Sequence, residues 1–379
     1  MPFQRLIGVL RESLWRSGDN PTSAAGTPTP PPAAPDTHEA PPAGGGFAAR
    51  LRRFATLREP LSPGESLLLG VACVAGVLLV WHVLTAGVPE ARIMSRLTLP
   101  SLSETFDGGT LHSLWFDREL MRGALLSLAR VGGGFLLAAA IAIPLGVCSG
   151  AFSWLNSLLR PLSVFGRNVP VAALIPLSLN WFGIEEMQKV MFIFLACFAF
   201  ILFDTTNAVL DVPARYLDTA YTLGARFVWR PAVRRAGWLG VVYGAVIAVA
   251  WEGYVGGSDV SAVGVVVCAG GIGFFLGMAL WFPIFAFQPI AKVLLPGALP
   301  DVVNSLRLLF GLAFGYIMLA EVINAEYGLG SIINMSQRRG PNEHIFLCLI
   351  FIALLAFAID RAILSAQAYC FPYRSHDDR

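Results

Sequence analysis

The sequence predicts an all-α integral membrane protein, and three observations support this fold class. Hydrophobic residues make up 55% of the 379-residue chain and charged residues only 14%, whereas soluble domains average about 25% charged residues. The mean hydropathy is +0.64. Apolar runs long enough to cross a bilayer recur along the chain, since a helical span needs about 20 residues. Eight spans are predicted in this way, near 67–86, 124–148, 162–182, 188–210, 238–257, 263–287, 302–323 and 345–366.

Residues 1–60 precede the first span and are predicted to form a cytoplasmic tail. Within 1–16, apolar residues recur at helical spacing with arginines between them, which is typical of a short helix on an anionic membrane surface. Residues 17–46 are rich in Pro, Ala, Gly and Thr, a composition that predicts disorder.

Two prolines interrupt the third predicted span. Pro170 and Pro176 each lack a backbone N–H and disfavour a continuous helix. We therefore expect a bent or partly re-entrant segment, whose freed backbone groups are satisfied by protein neighbours.

The placement of arginine predicts the orientation in the membrane. Four arginines lie within 50–58, just before the first span, and basic residues favour the cytoplasmic side. Counting spans from there places 211–236, which holds five more arginines, on the same side. Arg338 and Arg339 fall in an outer loop and count mildly against this scheme. Both termini are predicted to be cytoplasmic.

Two short sequences that lie far apart in the chain have features of one surface loop. In 218–225, the small residue Ala220 lies on a short helix, and Gly224 allows a tight turn with positive φ. In 295–300, a Leu-Pro pair is suited to begin a helix. Together they resemble the ATPase-coupling loop of ABC-type importer permeases, where Glu-Ala-Ala, three residues and Gly precede Leu-Pro by about a dozen residues.

This copy of the loop departs from the family pattern in two ways. Asp218 and Thr219 stand where the pattern has Glu and Ala. Gly224 and Pro296 are 72 residues apart, so about 60 residues are inserted relative to the pattern. On this resemblance, the coupling residues are Asp218, Ala220, Gly224, Leu295 and Pro296.

The inserted residues 227–291 contain two predicted spans. Two spans form a hairpin that returns the chain to the side it left, so both halves of the loop can face the cytoplasm. We expect a permease domain in two parts, 61–226 and 292–379, around an inserted transmembrane hairpin. A stripe of small residues in the second inserted span predicts close packing against another helix, in the core or in a dimer mate; it consists of Ala269, Gly273 and Gly277.

Other segments are similar to the nitrate/sulfonate/taurine branch of these permeases. Residues 168–177, followed by Trp-Phe-Gly-Ile at 181–184, resemble that branch's Pro-x-x-Ala-x-x-Pro-Leu and Trp-Phe-Gly-Ile stretch. Residues 127–131 and 319–330 resemble its second and fifth helices. The resemblance implies a type I ABC importer-like core of six spans, to which the inserted hairpin adds two.

The same resemblance implies partners and a location. The permease would form a homodimer in the lipid of a bacterial inner membrane. Two cytoplasmic ATPase subunits would drive it, and a periplasmic or lipid-anchored solute-binding protein would supply small anionic solutes such as nitrate, sulfonates or taurine.

The sequence indicates no enzyme chemistry. It has no Gly-Lys dipeptide and therefore lacks the nucleotide-binding loop Gly-x-x-x-x-Gly-Lys-Ser/Thr, so ATP hydrolysis is expected of a partner. Its six cysteines stand singly and its histidines lack ligand spacing, so no catalytic residue, cofactor or metal site is predicted. A net charge of +2 does not indicate nucleic-acid binding. Two alternatives stay open: a permease-derived membrane scaffold or sensor, and an ATP-independent carrier.

Polar residues within the spans are candidates for the transport pathway, because a charge in the membrane is costly. We select Asn180, Asp204 and Glu321. The alternative for each is interfacial solvation or interhelical hydrogen bonding. Because a fixed acid repels an anion, we expect Glu321 to gate or brace rather than to bind the solute.

Overall fold

The computed structural model describes residues 62–87, 92–96, 98–117, 119–255, 260–324, 326–339 and 342–371. The internal contacts divide the chain into two units, Met1–Ala72 and Cys73–Arg379. Only residues 62–72 of the first unit are described, and they contain the start of the first helix. The predicted helix at 1–16 and the predicted disorder at 17–46 lie outside the described residues.

The described part of the chain is helical. Thirteen α-helices are named here in chain order. They are α1 Pro63–Thr85, α2 Leu102–Thr105, α3 Gly108–His112, α4 Leu120–Ala151, α5 Ser153–Asn168, α6 Leu174–Phe182, α7 Glu186–Leu210, α8 Ala214–Thr222, α9 Trp229–Val255, α10 Val260–Ala286, α11 Leu295–Asn324, α12 Leu329–Arg339 and α13 Asn342–Cys370, with π-helical turns at Ser113–Asp117 and Ile290–Leu294 and a 3-10 turn at Val171–Ala173.

Each predicted span coincides with a helix or a pair of helices. Among the described residues, six helices are long and apolar enough to cross a membrane, and the α5–α6 pair makes a seventh if it counts as one span. The six are Gly64–Thr85, Leu120–Ala151, Glu186–Leu210, Ala269–Ala286, Ile290–Ile323 and Asn342–Cys370. The fifth predicted span, 238–257, falls on α9, which is helical but is not among these six.

The third predicted span is broken, as the two prolines predict. Helices α5 and α6 meet at an angle of 90°. Helix α5 ends at Asn168, two residues before Pro170, and the chain then turns through Val171–Ala173. Pro176 lies in the first turn of α6, where a missing N–H leaves no helical bond unmade.

The main core lies between α4, α7 and α11. Gly134 lets α4 approach α7 closely, because a Cβ there would lie 2.5 Å from the carbonyl oxygen of Val190. The next residue of α4, Phe135, packs its ring edge-on against Phe310 of α11, with the ring centroids 5.2 Å apart. These contacts fix α4, α7 and α11 relative to one another.

Helices α9 and α10 pack against each other as a hairpin. A Cβ on Gly273 would lie 2.9 Å from the Cα of Gly244, and one on Gly277 would lie 3.0 Å from the Cα of Gly240. The predicted close-packing face is thus present at these two glycines, but it contacts α9, the neighbour in the hairpin, instead of the core or a dimer mate. The hairpin contacts α4 elsewhere: the Tyr243 hydroxyl donates to the Ala140 carbonyl oxygen.

Candidate functional site

The first half of the predicted coupling loop forms the short helix α8 and a glycine turn. Pro213 precedes the helix, and Leu223 follows it. Gly224 has φ = 81°, which a residue with a Cβ adopts only at a cost. The Gly224 N–H donates to Tyr221 O (3.0 Å), and the Ala225 N–H donates to Ala220 O (2.9 Å). This arrangement is a typical C-terminal cap, which satisfies carbonyl groups at the end of α8.

Backbone hydrogen bonds join the two ends of the α9–α10 hairpin. Phe227 and Phe287 form an isolated antiparallel bridge. On one side of the bridge the Val228 N–H donates to Ala286 O (2.8 Å), and on the other the Gln288 N–H donates to Arg226 O (3.4 Å). We call residues 226–228 and 286–288 the loop clasp. The chain therefore leaves and re-enters the coupling-loop region at the same place.

The two halves of the loop line a common cavity of about 830 Å³, which we call the coupling groove. Ala220 lines it from α8, and Gly297 lines it from the first turn of α11. Gly297 also approaches Val212, because a Cβ on it would lie 3.4 Å from the Val212 methyl groups. The groove is lined from the first half by Tyr216, Thr219, Ala220 and Leu223, from the second by Lys292 and Gly297, and from the loop clasp by Gln288.

Three of the other predicted coupling residues, Asp218, Leu295 and Pro296, do not line this groove. Asp218 is exposed on α8. Leu295 is partly buried at the start of α11 and packs against an apolar cluster that includes Val209 and Ile290. Pro296 is exposed beside it. Large side chains of the first half are also exposed; they are Tyr216, Tyr221 and Leu223, with 50%, 62% and 82% of their surface accessible.

Far from α8, Glu321 is fully buried in a cluster of charged residues. The Arg130 guanidinium donates to Glu321 through Nη1 at 2.6 Å and to Glu186 through Nη2 at 2.7 Å. Lys189 Nζ donates to Glu186 Oε1 at 2.7 Å. We call Arg130, Glu186, Lys189 and Glu321 the ion cluster. Two cations and two carboxylates balance, so burial leaves no net charge unpaired.

Neutral donors complete the coordination of Glu321. Ser127 Oγ lies 2.8 Å from both carboxylate oxygens, and the Gly330 N–H donates to Oε2 at 3.0 Å. A Cβ on Gly328 would lie 2.6 Å from Glu321 Oε2 and 2.7 Å from Arg130 Nη1, so this position has no space for a side chain. The ion cluster thus connects α4, α7, α11 and the turn that precedes α12.

The three pathway candidates do not converge. Asn180 is exposed on α6. Asp204 lies on α7, 18 residues after the cluster residue Glu186, which corresponds to about 27 Å of helix. Asp204 and Glu321 therefore occupy different depths of the bundle. A transport role for each of the three stays a prediction.

A second charged group ties the segment after α1 to α13. The Ser101 N–H donates to the Glu104 carboxylate (2.9 Å), and Arg92 Nη1 pairs with it (3.1 Å). The backbone bond from Ser101, followed by the contacts with Arg92, lowers the pKa of Glu104 from 4.5 to about 2. Arg96 Nε donates to Glu343 at 2.8 Å, and this hydrogen bond raises the pKa of Arg96.

Sequence reasoning did not find the ion cluster. Arg130 and Glu321 are 191 residues apart, and no local pattern predicts a contact over that separation. A weaker signal was present, because Ser127 and Arg130, like Glu186 and Lys189, are polar pairs at helical spacing within or beside apolar runs. In the part of the chain that the structure describes, no group of three or more His, Cys, Asp and Glu residues could hold a metal ion.

Comparison with known proteins identifies the class. Residues 142–258 match the family described as "Binding-protein-dependent transport system inner membrane component". An ABC transporter permease protein of Methanocaldococcus jannaschii is 26% identical over 313 residues, covering 82% of this chain and 93% of that protein. The taurine transport system permease protein of Escherichia coli is 25% identical over 321 residues (83% and 92%), and the bicarbonate transport system permease protein of Synechococcus elongatus is 23% identical over 317 residues (80% and 90%).

Among solved structures, an inward-facing form of the MetNI methionine ABC transporter gives a TM-score of 0.42 at 20% identity, covering 65% of this chain and 95% of that chain. From the family match and the permease relatives, the class is an ABC importer permease subunit, a multi-pass membrane protein. The chain is similar to the binding-protein-dependent inner-membrane permeases over residues 142–258, and to permease proteins at 23–26% identity over 80–83% of its length. The matched family implies a cytoplasmic ATPase and a solute-binding protein as partners.

Proposed function

We propose that this chain is the pore subunit of an importer of small anions, and that a partner ATPase drives it through the split loop 214–226/292–300. In this proposal the residues 227–291 are an inserted hairpin, both termini are cytoplasmic, and two copies form the pore. ATP-driven closure of the ATPase pair pulls on α8 and on the start of α11. The attached helices then alternate access to the pathway.

The observation that carries this proposal is the loop clasp. An insertion of about 60 residues could have separated the two halves of the coupling loop by the full length of a span. Instead, the 2.8 Å hydrogen bond from Val228 N to Ala286 O closes the insertion at its base. The two halves line one groove, so a partner that binds α8 also reaches Lys292 and Gly297. This favours a working coupling loop over a disabled one.

The exposed side chains of α8 support a protein partner at this surface. Leu223 and Tyr221 are large and mostly exposed, although α8 is too polar to be a membrane span. Exposed aromatic and aliphatic residues grouped beside a groove are typical of a binding surface. An ATPase that covers them would remove this apolar surface from water.

The anionic class of solute is supported by relatives. Their names specify taurine, aliphatic sulfonates and bicarbonate as the transported solutes, and all three carry an oxyanion group. These relatives cover between 80% and 83% of this chain, so the likeness extends over most of the membrane part.

Co-purification with the candidate ATPase tests the proposal. We expect the wild-type chain to retain the ATPase and Gly224→Arg to lose it, because an arginine at φ = 81° both strains the turn, by about 1–2 kcal/mol, and adds a charge beside α8. Gly87→Arg is the matched control. Gly87 also has positive φ (104°), and a Cβ there would meet nothing within 4 Å, but it follows α1 instead of α8.

Two results would contradict the proposal. If the wild-type chain retains no ATPase, coupling through the split loop is lost, and the scaffold or ATP-independent carrier takes its place. If Gly224→Arg and Gly87→Arg retain the ATPase equally, the partner does not bind at α8.

A further inference from the structure

Helix α5 carries a polar stripe on one face. Asn156, Arg160, Ser163 and Arg167 follow one another at intervals of four, three and four residues, which places them on one side of a helix. Helix α5 is the first part of the broken span. Ionisable residues within a span mark a pathway or a polar cavity more often than a lipid-facing surface.

The stripe lines a cleft between α5 and α7, which we call the α5–α7 cleft. Its volume is about 500 Å³, and its opposite wall includes Phe203 and Asn207 of α7. This volume lies within the range of about 300–1,000 Å³ typical of small-molecule sites. The Arg167 guanidinium lies over the Phe203 ring at 4.1 Å from the centroid, and this stacking orients its N–H groups.

The two arginines of the cleft retain their hydrogen-bonding capacity. In the described part of the chain, neither Arg160 nor Arg167 donates a hydrogen bond or forms a salt bridge to a side chain. Asp204 is near enough to Arg167 for electrostatic attraction, without a salt bridge between them. Two cations against one carboxylate leave the cleft with an excess positive charge.

We propose that the α5–α7 cleft is a low-affinity oxyanion site on the route by which the solute leaves toward the α8 end of the bundle. This inference rests on the proposed import of small anions. A guanidinium presents paired N–H donors that match the oxygens of a sulfonate or a carboxylate. Asn156 and Asn207 add amide groups to the walls of the same cleft.

The position of the cleft suits a site that must release its ligand. Leu210 lines the cleft, and the next residue, Asp211, lines the coupling groove at the base of α8. Movement of α8 is therefore transmitted directly to one wall of the cleft. A transport site has to bind weakly enough to let the ion leave, and Asp204 beside Arg167 weakens anion binding.

A phospholipid headgroup offers the same oxyanion chemistry as a solute. Arginines near the cytoplasmic surface attract anionic lipids, so the test has to separate these two sources. The full-length chain is therefore placed in nanodiscs of pure phosphatidylcholine and in nanodiscs that also contain phosphatidylglycerol. Trifluoromethanesulfonate is the probe, and its binding is followed by fluorine NMR line broadening at constant ionic strength.

We expect the wild-type chain to broaden the probe signal in both lipids, with competition by methanesulfonate but not by chloride. Arg160→Gln and Arg167→Gln should each weaken binding about tenfold, since a charge-assisted hydrogen bond is lost. Arg361→Gln is the matched control, because Arg361 also stacks on a phenylalanine, Phe357, at 4.9 Å, but on α13 outside the cleft. Arg160 is exposed, so its variant is not expected to unfold.

Three results would overturn the inference: no binding by the wild type, equal binding by Arg160→Gln and wild type, or binding that phosphatidylglycerol abolishes. The last result would identify a lipid headgroup as the occupant. The outcome is independent of ATPase co-purification. If the ATPase is retained while the arginine variants bind the probe normally, the proposed oxyanion site is wrong and the proposed importer function is unaffected. If probe binding depends on the arginines while no ATPase is retained, the proposed coupling through the split loop is wrong.

Discussion

At the scale of single residues, each charged side chain of the ion cluster is paired with an opposite charge. Glu321 is completely buried, and its partner Arg130 is 5% exposed. Lys189, which pairs with Glu186, is 3% exposed. A buried charge pair contributes little net stability, but removing one member leaves the other uncompensated. Arg130, Ser127 and the Gly330 N–H hold the Glu321 carboxylate in place. Because these groups lie on other helices than Glu321, their contacts brace the helices against one another.

Glu321→Gln tests that brace. The amide keeps the shape and still accepts from Ser127 and Gly330, but Arg130 loses its fully buried counter-ion and keeps only Glu186. We expect a destabilisation of about 3 kcal/mol, at the lower limit for breaking a buried pair. The measurement is the heat-unfolding midpoint of the full-length chain in detergent.

Glu326→Gln is the control, because Glu326 is an exposed carboxylate five residues further on, in the turn after α11. Its replacement should change the midpoint by less than about 0.5 kcal/mol in equivalent stability. Equal midpoints for the two variants would mean that Glu321 is not a structural brace.

The contrast between Gly224 and Arg130 shows which residues a sequence can reveal. Gly224 could be picked out from the sequence because a tight local turn needs a residue with positive φ, and Gly224 has positive φ in the structure. The partners of Arg130 come from α7 and α11 and become neighbours only through packing. The spacing of Arg160 and Arg167 puts them on one helix face, but the predicted span, 162–182, contained only Arg167 because Arg160 and Asn156 lower the hydropathy before it.

At the scale of elements, the short helix α2 depends on an ionised Glu104. Ser101 and Glu104 form a capping box, and Arg92 pairs with the same carboxylate. The pKa of Glu104 is lowered from 4.5 to about 2 in the folded chain. A lowered carboxylate pKa means that its stabilising contribution is complete above pH 4.5 and is lost as the pH falls toward 2.

We therefore expect the amides of α2 to exchange with solvent faster, after correction for the intrinsic rate, at pH 3 than at pH 5. Hydrogen exchange followed by mass spectrometry measures this. Glu104→Gln should exchange fast at both pH values, because the amide cannot ionise. A wild-type chain with the same corrected exchange at both values would show that the capping box does not need the charge.

In the α9–α10 hairpin, glycines leave no room for side chains where the two helices meet. A side chain at Gly273 would meet Gly244 and the Tyr243 carbonyl oxygen within 3 Å. We expect Gly273→Leu to separate the two helices and to lower the unfolding midpoint by an amount typical of overpacking, about 1–3 kcal/mol. Gly271→Leu is the control on the same helix, since nothing lies within 4 Å of a Cβ at that position.

If Gly271→Leu were as destabilising as Gly273→Leu, the loss would come from leucine in a glycine-rich helix and not from the interface. The sequence predicted this packing face from its spacing alone. It could not predict the partner, because the spacing describes one helix and says nothing about which neighbour comes closest.

At the scale of the whole molecule, α7 connects three sites. It begins at the ion cluster with Glu186, passes the α5–α7 cleft at Phe203 and Asn207, and ends at Leu210 just before α8. A pull on α8 therefore acts on a helix whose other end is held by charges. We expect motion to concentrate between the ion cluster and α8. In this region the span bends between α5 and α6, and polar residues line the α5–α7 cleft.

The loop clasp predicts that the α9–α10 hairpin can be removed without separating the two halves of the coupling loop. Because Val228 N donates to Ala286 O, these two residues can close a two-residue β-turn. Replacing residues 229–285 by Asn-Gly should therefore restore a continuous coupling loop. We expect the shortened chain to retain the ATPase in co-purification, and the same chain with Gly224→Arg to lose it.

The shortened chain should also unfold at a lower temperature than the wild type, because the buried side chain of Ile284 and the contact of Tyr243 with Ala140 are removed. A shortened chain that stays monodisperse but loses the ATPase would show that the hairpin itself belongs to the docking surface, and that the two halves of the loop are insufficient without it.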